Sequence, residues 1–179
     1  MESSDEALAA AAGGGDRTAF GVLAERHYDR VFRLAFRMSG TLPEAEDLTQ
    51  DVLMALPGKL AGYRREARFS TWLYRVVMNA AHDRRRRAAT RSKAHQGWGA
   101  YELTRKAAEA DSADRQKWLA EAMAALPPEL RDTVALLTEG DLSQAEAAEV
   151  LGVSPGTVAW RMSEVKKRLA EIARREGAI

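Results

Sequence analysis

The stretch Tyr63–Arg87, YRREARFSTWLYRVVMNAAHDRRRR, sets four aromatic residues (Tyr63, Phe69, Trp72 and Tyr74) among eight arginines, with Glu66 and Asp83 as its acids. From Ser70 onward it reads as a helix. Ser70 is placed to cap it, and Phe69 and Tyr74 flank the cap at the spacing of a hydrophobic staple. Leu73, Val76, Val77 and Ala80 form an apolar stripe at helical spacing, while Arg75, His82 and Arg86 fall on other sides. Such a helix suits a nucleic-acid backbone with exposed bases. Guanidinium groups neutralise phosphate, and an aromatic face accepts an unstacked base at about 1–3 kcal/mol each. Any single aromatic here is more readily explained as core. The cluster as a whole, closed by Arg84, Arg85, Arg86 and Arg87, is better explained by nucleic acid.

The 179 residues suffice for one domain or two small ones, and an apolar fraction of 46% is that of a folded protein. There are no cysteines, which excludes disulfides, thiolate metal sites and a cysteine nucleophile and fits a reducing cytoplasm. Three scattered histidines make no metal site, and no cofactor is called for. No apolar run approaches the ~20 residues needed to cross a bilayer. Residues 1–15 are acidic, lack the basic start of a signal peptide, and read as a flexible lead-in. The net charge of +1 conceals an uneven distribution. Residues 1–62 carry six bases and ten acids, residues 63–93 ten and two, and residues 94–179 eleven and fourteen. The positive field is confined to one stretch, as expected where only part of the surface meets phosphate.

In chain order, Asp16 caps a helix whose Phe20, Leu23, His27, Val31, Leu34 and Met38 make a core face, ended by Ser39-Gly40. His27 within that stripe reads as a packed histidine rather than a ligand. Pro43 opens a second helix, with Glu44, Glu46 and Asp47 at the positive end of its dipole. Ala45, Leu48, Val52 and Leu56 are its apolar side, and Asp47, Gln50, Asp51 and Met54 its opposite side. Helix-end electrostatics account for the first acids but not for Gln50, Asp51 and Met54, which suit a docking face for a protein. Pro57-Gly58 reads as the stop. From Ala88 to Asp114 the periodicity fades into a linker, with Gly97-Trp98-Gly99 interrupting it and a partial helix around Glu102–Ala110. A second helical unit begins at Ser112 or Asp114, with Leu119, Met123 and Leu126 inward. Pro127-Pro128 breaks it, and Leu130, Val134 and Leu137 make a further helix closed by Gly140. SQAEAAEVLGVSPGTVAWRMSEVKKRL then gives Ser143 and Glu146 at capping-box spacing, Ala148 for close approach, Gly152 for the turn, and Ser154-Pro155 to start again. Val158, Met162, Val165, Leu169 and Ile172 point inward. The order of caps and small residues reads as a helix-turn-helix whose second helix enters a major groove.

The motifs EAEDLTQDVLMAL and RFSTWLYRVVMNAAHDRRRR together resemble region 2 of the extracytoplasmic-function group of bacterial sigma-70-type sigma factors. LPPELRDTVALL and LSQAEAAEVLGVSPGTVAWRMSEVKKRL resemble their region 4. The resemblance implies an all-α chain of two small helical domains joined by a flexible linker: a region 2 bundle over residues 16–92, a linker over 93–111, and a region 4 helix-turn-helix domain over 112–179. It implies a subunit of core RNA polymerase that directs initiation at particular promoter DNA, commonly held by an anti-sigma factor. Glu46, Asp47, Leu48, Gln50, Asp51 and Met54 would dock on the polymerase. Tyr63, Arg64, Arg65, Arg68 and Phe69 would belong to the loop that holds an unstacked −10 base. Trp72, Arg75, Asn79 and Arg84, Arg85, Arg86 and Arg87 would lie along the −10 DNA. Ser154, Thr157, Ala159, Trp160, Arg161, Ser163, Glu164 and Lys167 would face the −35 element. Trp160 and Glu164 stand where the family often has small polar or basic residues, and Trp160 is also suited to pack on a protein partner.

Two other readings compete. An operator-binding regulator would use the helix-turn-helix but leaves the arginine–aromatic stretch and the Asp47–Met54 face without purpose. A nucleic-acid enzyme lacks a site, because adjacent carboxylates such as Glu46 and Asp47 diverge on a helix and no glycine loop cradles phosphate.

Overall fold

The computed structural model describes residues 3–94, 118, 121–138 and 141–175. The linker expected from Ala88 does not begin there, because residues 88–94 continue a helix in strong helix formers such as Ala88, Ala89 and Arg91; the rest of the linker, Trp98, Leu119, Gly140 and the start of the second unit at Ser112 or Asp114 lie outside the described residues. Among the described residues there is no strand. The helices are α1 (Asp5–Gly13), α2 (Arg17–Ser39), α3 (Leu42–Leu60), α4 (Phe69–Ala94), α5 (Pro128–Leu137), α6 (Gln144–Leu151) and α7 (Pro155–Arg175). Residues 121–125 are also helical, ahead of the Pro127-Pro128 break.

Helices α1–α4 form one bundle. The Asp16 carboxylate accepts the Thr18 and Ala19 amides at the start of α2, and Gly40 closes it. The stripe Leu23, His27, Val31, Leu34 and Met38 is buried against Leu48, Val52 and Leu56 of α3 and Leu73, Tyr74, Val77 and Met78 of α4. Each fully buried Leu, Val or Met of this seam contributes about 1.5–3 kcal/mol, so the seam dominates the domain's stability. In the second unit Leu126, Leu130, Val134 and Val165 make a separate small cluster, joined by Met123, Met162 and Leu169. The Ser143–Glu146 capping box starts α6, and Gly152 ends it with φ at 66°, the left-handed region that glycine enters freely.

Three further expectations are corrected. The lead-in is no flexible tail: residues 5–13 are helix α1, capped by the Ser4 hydroxyl, with Leu8, Ala9 and Ala12 buried against the bundle. Its approach is close enough that a side chain at Gly13 would meet the Leu60 carbonyl at 3.2 Å. Pro57-Gly58 does not stop α3, which runs on to Leu60. Pro57 faces solvent, where water can satisfy the carbonyl it leaves without a donor, and buried Leu56 and Leu60 hold the last turn in place. Helix α4 starts at Phe69, not after Ser70; the Trp72 amide donates to the Arg68 carbonyl at 3.1 Å, and Ser70 lies inside the first turn.

The two units pack on each other. Ala135, Leu136, Leu142, Ala147 and Val150 of the second unit join the hydrophobic cluster of the first. Because α1 belongs to that cluster, Leu8→Ala should lower the unfolding free energy by about 2 kcal/mol, the low end for a deleted leucine side chain at a core edge. Exposed Glu25→Ala should stay within about 0.5 kcal/mol. Urea titration followed by circular dichroism measures both; an unchanged midpoint for the Leu8 variant would detach α1 from the folded core.

Candidate nucleic-acid interface

Helix α4 has two chemistries. Leu73, Tyr74, Val77, Met78 and Ala81 are buried, while Asn79, His82, Arg86 and Arg87 are exposed and Trp72, Arg75, Arg84 and Arg85 are half-buried. The loop before it is tightly held. The Tyr63 hydroxyl donates to the Ala67 carbonyl at 2.8 Å, and Arg65 adopts φ of 58°, an uncommon value for a residue with a side chain. The Arg65 guanidinium donates to the Glu6 carbonyl at 3.3 Å, and the Phe69 amide donates to the Glu6 carboxylate at 3.5 Å. Helix α1 thus braces the loop, an arrangement no local pattern in the sequence announces.

Some predicted contact residues are committed elsewhere. Phe69 is 1% exposed. Its ring lies 5.2 Å from His27, 5.6 Å from Tyr63 and 5.7 Å from Trp72, so it shapes the loop and offers no face to a base. Leu48 is also buried, as the apolar side of α3 requires, and cannot be part of a docking surface. Arg64 and Arg68 are exposed. On α3, Glu46, Asp47, Gln50, Asp51 and Met54 all reach the surface, Met54 at 79% exposure. Arg84 bridges from α4 to Asp51 and, at 3.4 Å, to Asp47, so the docking face and the arginine run share a border. A cavity at that border is lined by Gln50, Asp51, Arg84, Arg85, Arg87 and Arg131, among others.

In the helix-turn-helix, the Ser154 hydroxyl accepts the Thr157 amide at 3.1 Å, so it serves first as a cap. Ala159, Trp160, Ser163 and Lys167 are exposed on α7, Trp160 at 63%. Arg161 turns inward, donating to the Thr133 hydroxyl at 3.4 Å, and half-buried Glu164 accepts from Arg168 at 2.9 Å. The sequence reading missed a set of acids facing the first domain: Asp132, Asp141, Glu146 and Glu149. Asp141 lies 3.1 Å from Arg30, and the rest meet α4 or its entry loop. The Ser143 amide, then its hydroxyl, and the Arg68 charge hold the Glu146 carboxyl below the usual range.

His27 is buried, as read, with Nε2 donating to Asp5 at 2.8 Å. Burial pushes its pKa down, against the opposing pull of Asp5. Burial pushes Asp5 up, but the Arg26 hydrogen bond and the His27 charge outweigh it and leave the carboxyl below its ordinary value.

An arginine-faced bundle and a helix-turn-helix unit define a two-domain, all-helical nucleic-acid-binding chain, with a separate exposed face on α3. Residues 23–91 match the family described as Sigma-70 region 2, and residues 116–169 match that described as Sigma-70, region 4. The ECF RNA polymerase sigma factor SigM of Mycobacterium tuberculosis is 35% identical over 171 residues, covering 96% of this chain and 85% of that protein. CnrH, solved in complex with the cytosolic domain of CnrY, superposes with a TM-score of 0.71 at 25% identity, covering 97% of this chain and 99% of that one. The sigma factor RpoE of Bartonella quintana, solved with the anti-sigma factor NepR, shares the fold at a TM-score of 0.75 and 23% identity, covering 87% and 96%. The chain belongs to the sigma-70 family of RNA polymerase sigma factors, in its ECF group.

A histidine whose folded pKa is depressed favours the fold above its unfolded pKa near 6.5 and loses that contribution as pH falls towards the folded value. Asp5, also depressed, adds a second loss below its ordinary value of 3.8. Stability should therefore decline from pH 7 to pH 5, and His27→Gln should flatten that part of the curve. Thermal unfolding across this range decides it; identical slopes for the two proteins would remove His27 as the cause.

Proposed function

We propose that this chain binds core RNA polymerase and carries it to particular promoters, the first domain engaging the −10 element and the second the −35 element. The observation that carries this reading is the separation of three surfaces of different chemistry on one chain, those of α3 and α7 exposed and that of α4 partly covered by the second unit. Glu46, Gln50 and Met54 on α3 are uncharged or acidic and suit a protein. Trp72, Arg75, Asn79, Arg86 and Arg87 on α4 suit a DNA strand, with Tyr63 and Arg64 in the preceding loop. Ala159, Trp160, Ser163 and Lys167 on α7 suit a major groove. The solved neighbours that contain a bound anti-sigma partner make such a protein a natural regulator of this chain as well. Its place of work is the cytoplasm, with the polymerase.

Purified core polymerase with and without the chain, in run-off transcription on genomic fragments, tests the reading; new, discrete start sites are expected only with the chain. Within that assay Gln50→Ala with Met54→Ala should weaken core binding while leaving stability within about 0.5 kcal/mol for each exposed substitution. Core affinity equal to that of the unmodified chain would remove α3 from the docking surface.

Arg86→Ala with Arg87→Ala should weaken holoenzyme binding to all promoters and flatten its salt dependence by about one to two units, because phosphate contacts carry no sequence information. Trp160→Ala should instead alter the ranking of −35 sequences. Titration with matched and scrambled −35 fragments separates the two effects, and lost discrimination in the double arginine variant at an unchanged salt slope would reverse the assignment of the surfaces.

A further inference from the structure

Buried Val158 and Val165, with Met162 and Leu169 packed beside them, fix the inward side of α7. At about 100° per residue, Gly156, Trp160, Ser163 and Lys167 then share the opposite side, Trp160 lying about 200° round from Val158. All four are exposed, Trp160 at 63%. The side chains that read purines are missing from the first turns of this stripe. Guanine is read by the paired donors of Arg or Lys, and adenine by Asn or Gln. Arg161 is committed to the Thr133 hydroxyl, and half-buried Glu164 to Arg168. The Thr157 hydroxyl shares a hydrogen bond with that of Ser154 at 2.9 Å. Lys167 stands seven residues beyond Trp160, about 10 Å along the axis, where an ammonium suits phosphate and carries no sequence information. What remains at the centre is an indole beside a bare glycine. Helical side chains lean towards the N-terminus, so the Trp160 ring covers the turn that begins at Gly156. A Cβ at Gly156 would meet nothing nearer than the Ser154 hydroxyl at 3.7 Å, so the chain's own packing does not demand glycine there. A side chain at that position would instead crowd the space between the ring and an approaching base pair.

We propose that Trp160 reads the −35 element through the C5 methyl group of a thymine, so that this chain selects promoters by apolar contact where α7 offers no purine-reading side chain. The proposal rests on the reading of α7 as the −35 helix and names the chemistry that its face recognises. In the major groove the thymine methyl is the apolar group that distinguishes one base pair from another. Covering one such group with the indole removes it from water, which is worth about fourfold in affinity.

Deoxyuridine keeps the hydrogen-bonding edge of thymidine and lacks only the methyl group, so it isolates this contact. A promoter found by run-off transcription is resynthesised with each −35 thymine of either strand replaced in turn by deoxyuridine, and holoenzyme affinity is measured. Replacement at one or two adjacent thymines should weaken binding about fourfold, and replacement elsewhere should leave it unchanged. Holoenzyme carrying Trp160→Ala should bind the thymine duplex more weakly and show no further loss with deoxyuridine at those positions. Trp160→Phe, which keeps an aromatic face, should retain the sensitivity. Trp160 lies outside both hydrophobic clusters, so both variants should still fold and bind core polymerase. Equal affinity for every deoxyuridine duplex would overturn the proposal, as would a −35 element without thymine or a sensitivity that persists in Trp160→Ala. Promoter affinity unchanged by Trp160→Ala would also overturn it and leave the indole to a protein partner. Inactivity of the unmodified holoenzyme on all fragments would remove the sigma-factor reading and this proposal with it, whereas an active holoenzyme indifferent to the methyl groups removes the proposal alone.

Discussion

Everything in the first domain depends on α4 being apolar on one side and cationic on the other. Tyr74, Leu73, Val77 and Met78 are buried among α2 and α3, which fixes the helix's rotation about its own axis. Once that rotation is fixed, Arg75, Asn79, His82 and Arg86 can only point away from the core. Four consecutive arginines cover every side of a turn, and the structure divides them: Arg84 reaches back to α3, Arg85 crosses to the second domain, and Arg86 and Arg87 face solvent. A core defect that rotated α4 by one residue, about 100° on a helix of 3.6 residues per turn, would bury charge and scatter the cationic row together.

The interface between the domains is held by charge at its rim and by apolar contact beneath. The exposed pairs Arg68–Glu146 and Arg30–Asp141 are each worth little in water, where salt screens them. Asp132 is different, because a buried carboxylate stripped of its partners is costly, whereas one held by a bidentate guanidinium is tolerated. It therefore fixes which surfaces meet more than how strongly they hold.

Most of the architecture is legible in the sequence because it is written locally. Asp16, the Ser143–Glu146 box, Gly152 and Ser154-Pro155 mark helix ends through their own hydrogen-bonding and φ preferences, and the α2 stripe marks its core side by period. Helix α1 escapes that reading because alanine, which dominates it, carries almost no periodic contrast, and the following glycines resemble a tail. Pro57 misleads because a proline's cost in a helix depends on whether the freed carbonyl meets water, which sequence does not state. Of the candidate site, the exposed α3 and α7 residues were identifiable by helical phase. Helical phase already set Leu48 on the apolar side of α3, and only the family resemblance counted it as a docking residue; Phe69 was not separable, since it lies at the very start of its helix among contact residues and differs from them in facing the core. The acids opposite α4 could not be found by spacing at all: Asp132 and Arg85 are 47 residues apart and meet only through tertiary packing.

The central claim is that the outward row of α4 lies along the −10 strand in the working complex. Asn79 sits in that row, is exposed, and has no part in the core. A photo-crosslinking amino acid at position 79, in holoenzyme on promoter DNA labelled one position at a time, tests it directly. The account predicts crosslinks concentrated on a few adjacent −10 nucleotides. Crosslinks confined to the −35 duplex, or none from a holoenzyme that still transcribes, would contradict it.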